Sequence, residues 1–210
     1  MILLCSCSKF SSKRSSSDKL TPEITKSLKN ICFDSTGKGR VNVGKEKYLF
    51  HYQSQFVDGG KKWGLAIRLP LFGEEVLFID QTSLPPKLSG NFYHRIRGSF
   101  AKNPWGIEKV AAQDFFDQMG VIVRLAKEGN QFCEENPGQC GKKNGGPRFL
   151  VNEEILQIST EVNGKYIVRM KNWNLEDGYY HRMNWSLLSK NMSSSTPLMS
   201  WDLFVKSCSN

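Results

Sequence analysis

The sequence predicts a mainly β fold of the α+β class, an antiparallel meander of strands interrupted by helical cover. Short runs that alternate large apolar with small or polar residues recur on both sides of a central helical stretch, the pattern of half-buried strands. Neither a βαβ alternation nor a Gly-rich phosphate loop is present, which argues against a parallel nucleotide-binding sheet. At 210 residues and 39% hydrophobic, the chain is sized for one domain with a substantial core.

The elements follow in order. Thr21-Pro22-Glu23 reads as an N-cap, a first-turn proline and an early acid, with Ile24, Leu28 and Ile31 at helical spacing behind them. Strands are expected at 40–43, 48–52, 63–69 and 76–79, with a further one over 92–100. Residues 107–127 take a helical period through Val110, Phe115, Phe116 and Met119, with Gly120 as a break. A loop rich in Gly, Asn and Pro is expected over 128–146, and strands resume at 155–159, 166–170, 179–187 and 199–205. Asn163-Gly164 is a hairpin turn between the first two of these.

The formal charge of +9, from 29 basic and 20 acidic residues, favours an anionic partner such as lipid headgroups or nucleic acid. A nucleic-acid module would show basic residues gathered on one element with interleaved aromatics, and no such signature is present, so nucleic acid is not the expected partner. No run of about 18 apolar residues is present to cross a bilayer as a helix, so membrane attachment is expected to be peripheral or covalent.

The opening Met1-Ile2-Leu3-Leu4-Cys5-Ser6-Cys7 resembles the end of a bacterial lipoprotein signal peptide. Leu4 stands at −3, the small Ser6 at −1, and Cys7 is the residue that would be acylated. A full signal needs a basic segment and an apolar stretch before this box, so the signal is expected to begin upstream of Met1. A disordered N-terminus with incidental cysteines and cytosolic acylation of Cys5 or Cys7 are the alternatives. On the lipoprotein reading, residues 1–6 are a signal remnant, 7–20 a lipidated cysteine with a Ser- and Lys-rich tether, and 21–210 the folded domain. The tether's cations suit anionic headgroups, and Ser8 after the cysteine points to an outer-membrane location facing the periplasm.

With Cys5 removed and Cys7 acylated, Cys32, Cys133, Cys140 and Cys208 remain, an even number suited to an oxidising compartment. Cys133 and Cys140 bracket a turn-rich loop and are the first choice for a disulfide, which leaves Cys32 with Cys208 by elimination. Their spacing and the scattered His51, His94 and His181 give no metal-ligand pattern, so neither metal nor cofactor is expected.

Pro70-Leu71-Phe72-Gly73 sets two bulky apolar residues on a hairpin tip, where polar residues are the rule. Such a tip either folds back on the domain or enters a bilayer or a lipidated client. The order of helix, antiparallel strands and Trp63-x-Leu65-x-Ile67-x-Leu69-Pro70-Leu71-x-Gly73 is similar to the LolB and LolA family of lipoprotein receptors and carriers. Asp114-Phe115-Phe116-Asp117-Gln118-Met119-Gly120 and the closing Trp201-Asp202-Leu203-Phe204 extend the resemblance over most of 20–206, while Phe72, the cysteine pairs and the long 128–146 loop depart from it.

The resemblance implies an incomplete antiparallel β-barrel with helices over its open side, enclosing an apolar cavity for acyl chains. It implies a monomer that receives lipoproteins from a periplasmic LolA-like carrier, with Leu71 and Phe72 contacting the membrane. Trp63, Leu65, Ile67, Leu69, Val76 and Phe78 are the cavity candidates, with an ordinary packed core as the plainer alternative. No G-x-S-x-G, H-E-x-x-H or cysteine with a convincing histidine partner is present, and an enzyme is not expected. The competing function is a lipid-anchored adaptor that binds another envelope protein through aromatics such as Trp105, Tyr179 and Tyr180.

Overall fold

The computed structural model describes residues 19–43, 46–69, 73–94, 109–136, 140, 146–190 and 196–209. The leader before Lys19, with Cys7, and the tip residues Leu71 and Phe72 lie outside the described residues, as does Trp105.

The helices are α1 (Pro22–Lys29), α2 (Lys109–Glu128) and α3 (Asn130–Glu135). The first half of the chain contributes strands β1 (Ser35–Val43), β2 (Glu46–Val57), β3 (Lys62–Leu69), β4 (Gly73–Asp80) and β5 (Lys87–Ser89). The second half contributes β6 (Arg148–Val151), β7 (Leu156–Val162), β8 (Tyr166–Glu176), β9 (Tyr179–Ser189) and β10 (Met199–Cys208). The ten strands form one open antiparallel sheet in the order β5-β4-β3-β2-β1-β10-β9-β8-β7-β6. Each half is a meander of neighbouring strands, and the pair β1–β10 joins the two halves through the ends of the chain. The mainly β class is therefore as the sequence predicts.

Local chemistry accounts for the ends of several elements. The Thr21 side chain accepts from the Ile24 amide at 3.3 Å with Pro22 in the first turn, so α1 starts as expected. Asn163 and Gly164 both take positive φ and turn β7 into β8. Of the strand expected over 92–100, residues 92–94 belong instead to a helical turn at 91–94, and 95–100 lie outside the described residues. The Asn91 side chain accepts from the Phe92 amide at 3.0 Å and the Val76 amide at 2.6 Å, which caps that turn and ties it to β4. Helix α3 also occupies part of the stretch expected to be loop.

Gly120 does not break α2, which runs through it. A Cβ there would lie 2.6 Å from Pro86 Cγ and 2.9 Å from Ile79 Cγ2. The glycine is needed for close approach of the helix to β4 and the β4–β5 connection, and the sequence signal for an ending is in fact a signal for contact.

The start of the domain is tied to its end. Cys32 and Cys208 form a disulfide with Cα atoms 5.8 Å apart, and Cys133 and Cys140 form another at 5.4 Å. Beside the first bridge the Ser209 amide donates to the Asp34 carbonyl at 2.8 Å, and the Phe56 amide donates to the Asp34 carboxylate at 2.7 Å. On a chain-entropy treatment the long loop closed by Cys32–Cys208 stabilises by about 5 kcal/mol and the short Cys133–Cys140 loop by about half that. Replacing Cys32 and Cys208 by Ser is expected to lower the unfolding free energy by about 4–5 kcal/mol. The Cys133/Cys140 double variant is expected to lose about 2 kcal/mol. Denaturant titration of both measures the difference, and an equal loss would contradict the loop argument.

Candidate functional site

One face of the sheet is apolar across nearly all its strands. Cross-strand pairing aligns Trp63 with Phe56 and Ile79, and Leu65 with Ser54 and Leu77. Ile67 stands between Tyr52 and Glu75. In the other half, Ile158, Met170, Trp185 and Trp201 form a single row that continues to Val41. Partners in register share a face, so these two halves make one continuous apolar surface. Gly39 lies within it because the Phe50 ring crosses over the position: a Cβ there would be 2.3 Å from the ring.

Trp63, Leu65 and Ile67 are all buried on this face, and Leu69 is half-buried against the same core. Val76 and Phe78 are elsewhere. They pair with Ala66 and Gly64 on the opposite face, half-buried, and it is Leu77 and Ile79 that face inward. Val76-Leu77-Phe78-Ile79 is an unbroken apolar run, whose phase only the register with β3 decides. Gly64 leaves room for Phe78: a Cβ would stand 3.0 Å from its ring.

Helix α2 lies on the apolar face. A helix at a protein surface carries an apolar stripe along one side. In α2 the consecutive residues 119–123 are all buried, which takes in the whole circumference of the helix. Phe115 and Phe116 pack on Trp201, with ring centroids 6.5 Å and 5.7 Å away, and Phe92 joins them at 5.5 Å. The helix touches α1, α3, β5, β7 and β8. Its polar links are peripheral: Asn163 donates to Asp114, Lys127 donates to the Gly60 carbonyl, and Tyr93 donates to Gln113 at 2.8 Å. The sequence predicts this helix but not its burial, because Asp117 and Gln118 at its middle give it the polar side of a surface helix.

The interior polar groups are few. Ser35 links Tyr52, whose hydroxyl accepts at 3.4 Å, to Ser54 at 3.0 Å. Burial pushes the Tyr52 phenol up to about 12, so it stays neutral and acts only in hydrogen bonding. Asn172 is 0% exposed on the face between Leu156 and Met183, and neither of its amide atoms is hydrogen-bonded. Glu75 is buried beside Ile67. Among the described residues no group of three or more His, Cys, Asp or Glu is arranged to hold a metal ion. This interior is a packed core of apolar side chains, and its chemistry is that of exclusion of water.

Two further sets of residues bear on the alternatives. An open cleft beside α1 is lined by Leu20, Pro22, Thr25, Lys26, Lys29 and Asn130. Of the adaptor aromatics, Tyr180 is buried, while Tyr179 stacks on His181 with centroids 4.4 Å apart.

Burial holds the Asp117 carboxyl above its usual range; a hydrogen bond from Gln113 opposes this, and the charge of Asp114 adds to it. A carboxyl with a higher pKa in the folded than the unfolded state stabilises fully below the unfolded value, and that stability is lost as pH rises through the folded value. Asp117→Asn is therefore expected to have the higher urea midpoint at pH 7, with the gap closing as pH falls through the raised carboxyl range. A wild-type advantage at pH 7 would contradict burial as the dominant effect.

No family model matches this chain, and no curated protein matches it.

Proposed function

We propose that this protein is a LolB-like envelope lipoprotein, anchored through acylated Cys7. On this reading it holds the acyl chains of lipoproteins or lipids between its apolar sheet face and α2, and helps localise them at the outer membrane. The observation that carries the reading is a helix whose middle turn, 119–123, is buried on all sides over an apolar sheet face, with its links from Asp114, Gln113 and Lys127 towards its ends. Apolar burial is non-directional and scales with area, at roughly 25 cal/mol per Å². An acyl chain can therefore replace apolar helix contacts with little change in the area kept from water, and displacement of α2 opens the site.

The half-barrel shape belongs to the same proposal. Asp114 reaches the β7–β8 turn, and Gly120, six residues on, reaches Ile79 of β4. Those six residues span about 9 Å of helix. The strands they reach are six places apart in the sheet, roughly 29 Å if it were flat. A sheet curled around α2 accounts for both contacts. Leu71 and Phe72 on the β3–β4 connection are the proposed membrane contact, and a periplasmic LolA-like carrier the proposed source of cargo. The lipid-anchored adaptor has less support, since Tyr180 packs inside rather than at a surface.

The test uses the full chain with Cys7→Ser, purified from a periplasm and incubated with a triacylated lipopeptide before native mass spectrometry. A one-to-one adduct is expected, abolished by Leu65→Arg and weakened at least tenfold by Leu65→Trp, which fills the face while keeping it apolar. A ligand-free mass at saturating lipopeptide contradicts the proposal. So does an adduct that survives in a folded Leu65→Trp variant.

A further inference from the structure

The face of the sheet that points away from α2 carries its own pattern, visible only through the strand registers. One row runs from Leu150 on β6 through Lys171, Asn184, Asp202 and Arg40 to Leu49 on β2. The row on one side holds Arg148, Arg169 and Lys47, spaced by Ser159, Ser186 and Ser200. The row on the other side holds Arg182, Lys38 and Arg68, and ends at Glu74. Eight Lys and Arg thus share three rows with two acids, against a whole-chain excess of +9.

Both acids are already engaged. Asp202 accepts from Arg40 at 2.9 Å, Asn184 at 2.7 Å and Asn42 at 3.3 Å, and Glu74 pairs with Arg68 at 3.2 Å. Among the described residues no salt bridge engages Lys38, Lys47, Arg148, Arg169, Lys171 or Arg182. Two of these cations lie against rings of the same face: Arg182 is 4.1 Å from the Phe204 centroid and Lys171 is 5.5 Å from that of Trp173. Such stacking orders a cation without neutralising it. Leu49 and Leu150, 69% and 57% exposed, mark the two ends of the central row.

We propose that this outer face docks on an anionic phospholipid surface. Phosphate headgroups complement the cations, and the two exposed leucines give the face apolar contacts at its margins that a purely phosphate-bearing polymer would not use. The proposal concerns the side of the sheet opposite to α2 and stands whether or not acyl chains bind under that helix. It orients the domain, with the face against the bilayer and the helix side turned away.

The test is flotation of the full chain carrying Cys7→Ser, so that no acyl anchor forms, with vesicles of phosphatidylglycerol and phosphatidylcholine. Binding is expected to require phosphatidylglycerol and to fall steeply between 0.05 and 0.5 M salt, as screening demands, on the order of one Debye length shrinking from over 10 Å to under 5 Å. Lys171→Glu with Arg182→Glu is expected to weaken it at least tenfold. Lys38→Glu with Lys47→Glu, at exposed positions, serves as the second variant should the first fail to fold. Lys9→Gln, Lys13→Gln and Arg14→Gln together are expected to leave more than half of the binding. Equal binding to pure phosphatidylcholine, binding lost with the three leader changes alone, or tighter binding to a single-stranded oligonucleotide than to the vesicles would each overturn the proposal.

Discussion

Water must be kept off one face of the sheet, and most of the architecture answers to that. Antiparallel pairing satisfies the backbone but leaves a surface that includes Phe50, Trp63, Leu65, Trp185 and Trp201. Helix α2 supplies the cover, and it buries Phe115, Phe116, Met119 and 121–123 in doing so. Glycine at 120 lets the helix come close enough to β4 to exclude water. The polar residues that link α2 to the rest are left at its ends, where water is available.

The cover works only on a scaffold that holds its shape, and that shape depends on strands from opposite ends of the chain. The β1–β10 pair forms the middle of the sheet, locked on one side by the Cys32–Cys208 bridge and on the outer face by Asp202, which gathers donors from β1 and β9. A carboxylate that accepts charge-assisted hydrogen bonds from three side chains fixes register as well as adding energy. The two halves of the meander are each local in sequence, whereas this pairing is the long-range step on which the common face depends.

Much of this was legible in the sequence, and the limits have physical causes. The Thr21-Pro22 start of α1 and the Asn163-Gly164 turn are local chemistry, and both form as expected. The cysteine pairs followed from counting and loop length, and the structure joins Cys133 to Cys140 and Cys32 to Cys208. Phase was not legible in an unbroken apolar run: Val76 and Phe78 lie on the face opposite to Leu77 and Ile79, and only pairing with β3 distinguishes them. Gly120 carries the same sequence signal as a helix end, and its meaning comes from Pro86, some thirty-four positions earlier in the chain. The basic outer rows were the least visible, because Lys38, Lys47, Arg148, Arg169, Lys171 and Arg182 come from five strands and no local window contains them all.

The central claim is that α2 is a displaceable cover. Hydrogen exchange of the Cys7→Ser chain, with and without bound lipopeptide, tests this most directly, because the backbone of α2 reports on the cover while β8 to β10 report on the scaffold. The account predicts faster exchange across 109–128 on loading, with 166–208 unchanged. Bound lipopeptide with α2 equally or better protected would contradict it, and would mean that the helix is a permanent part of the core.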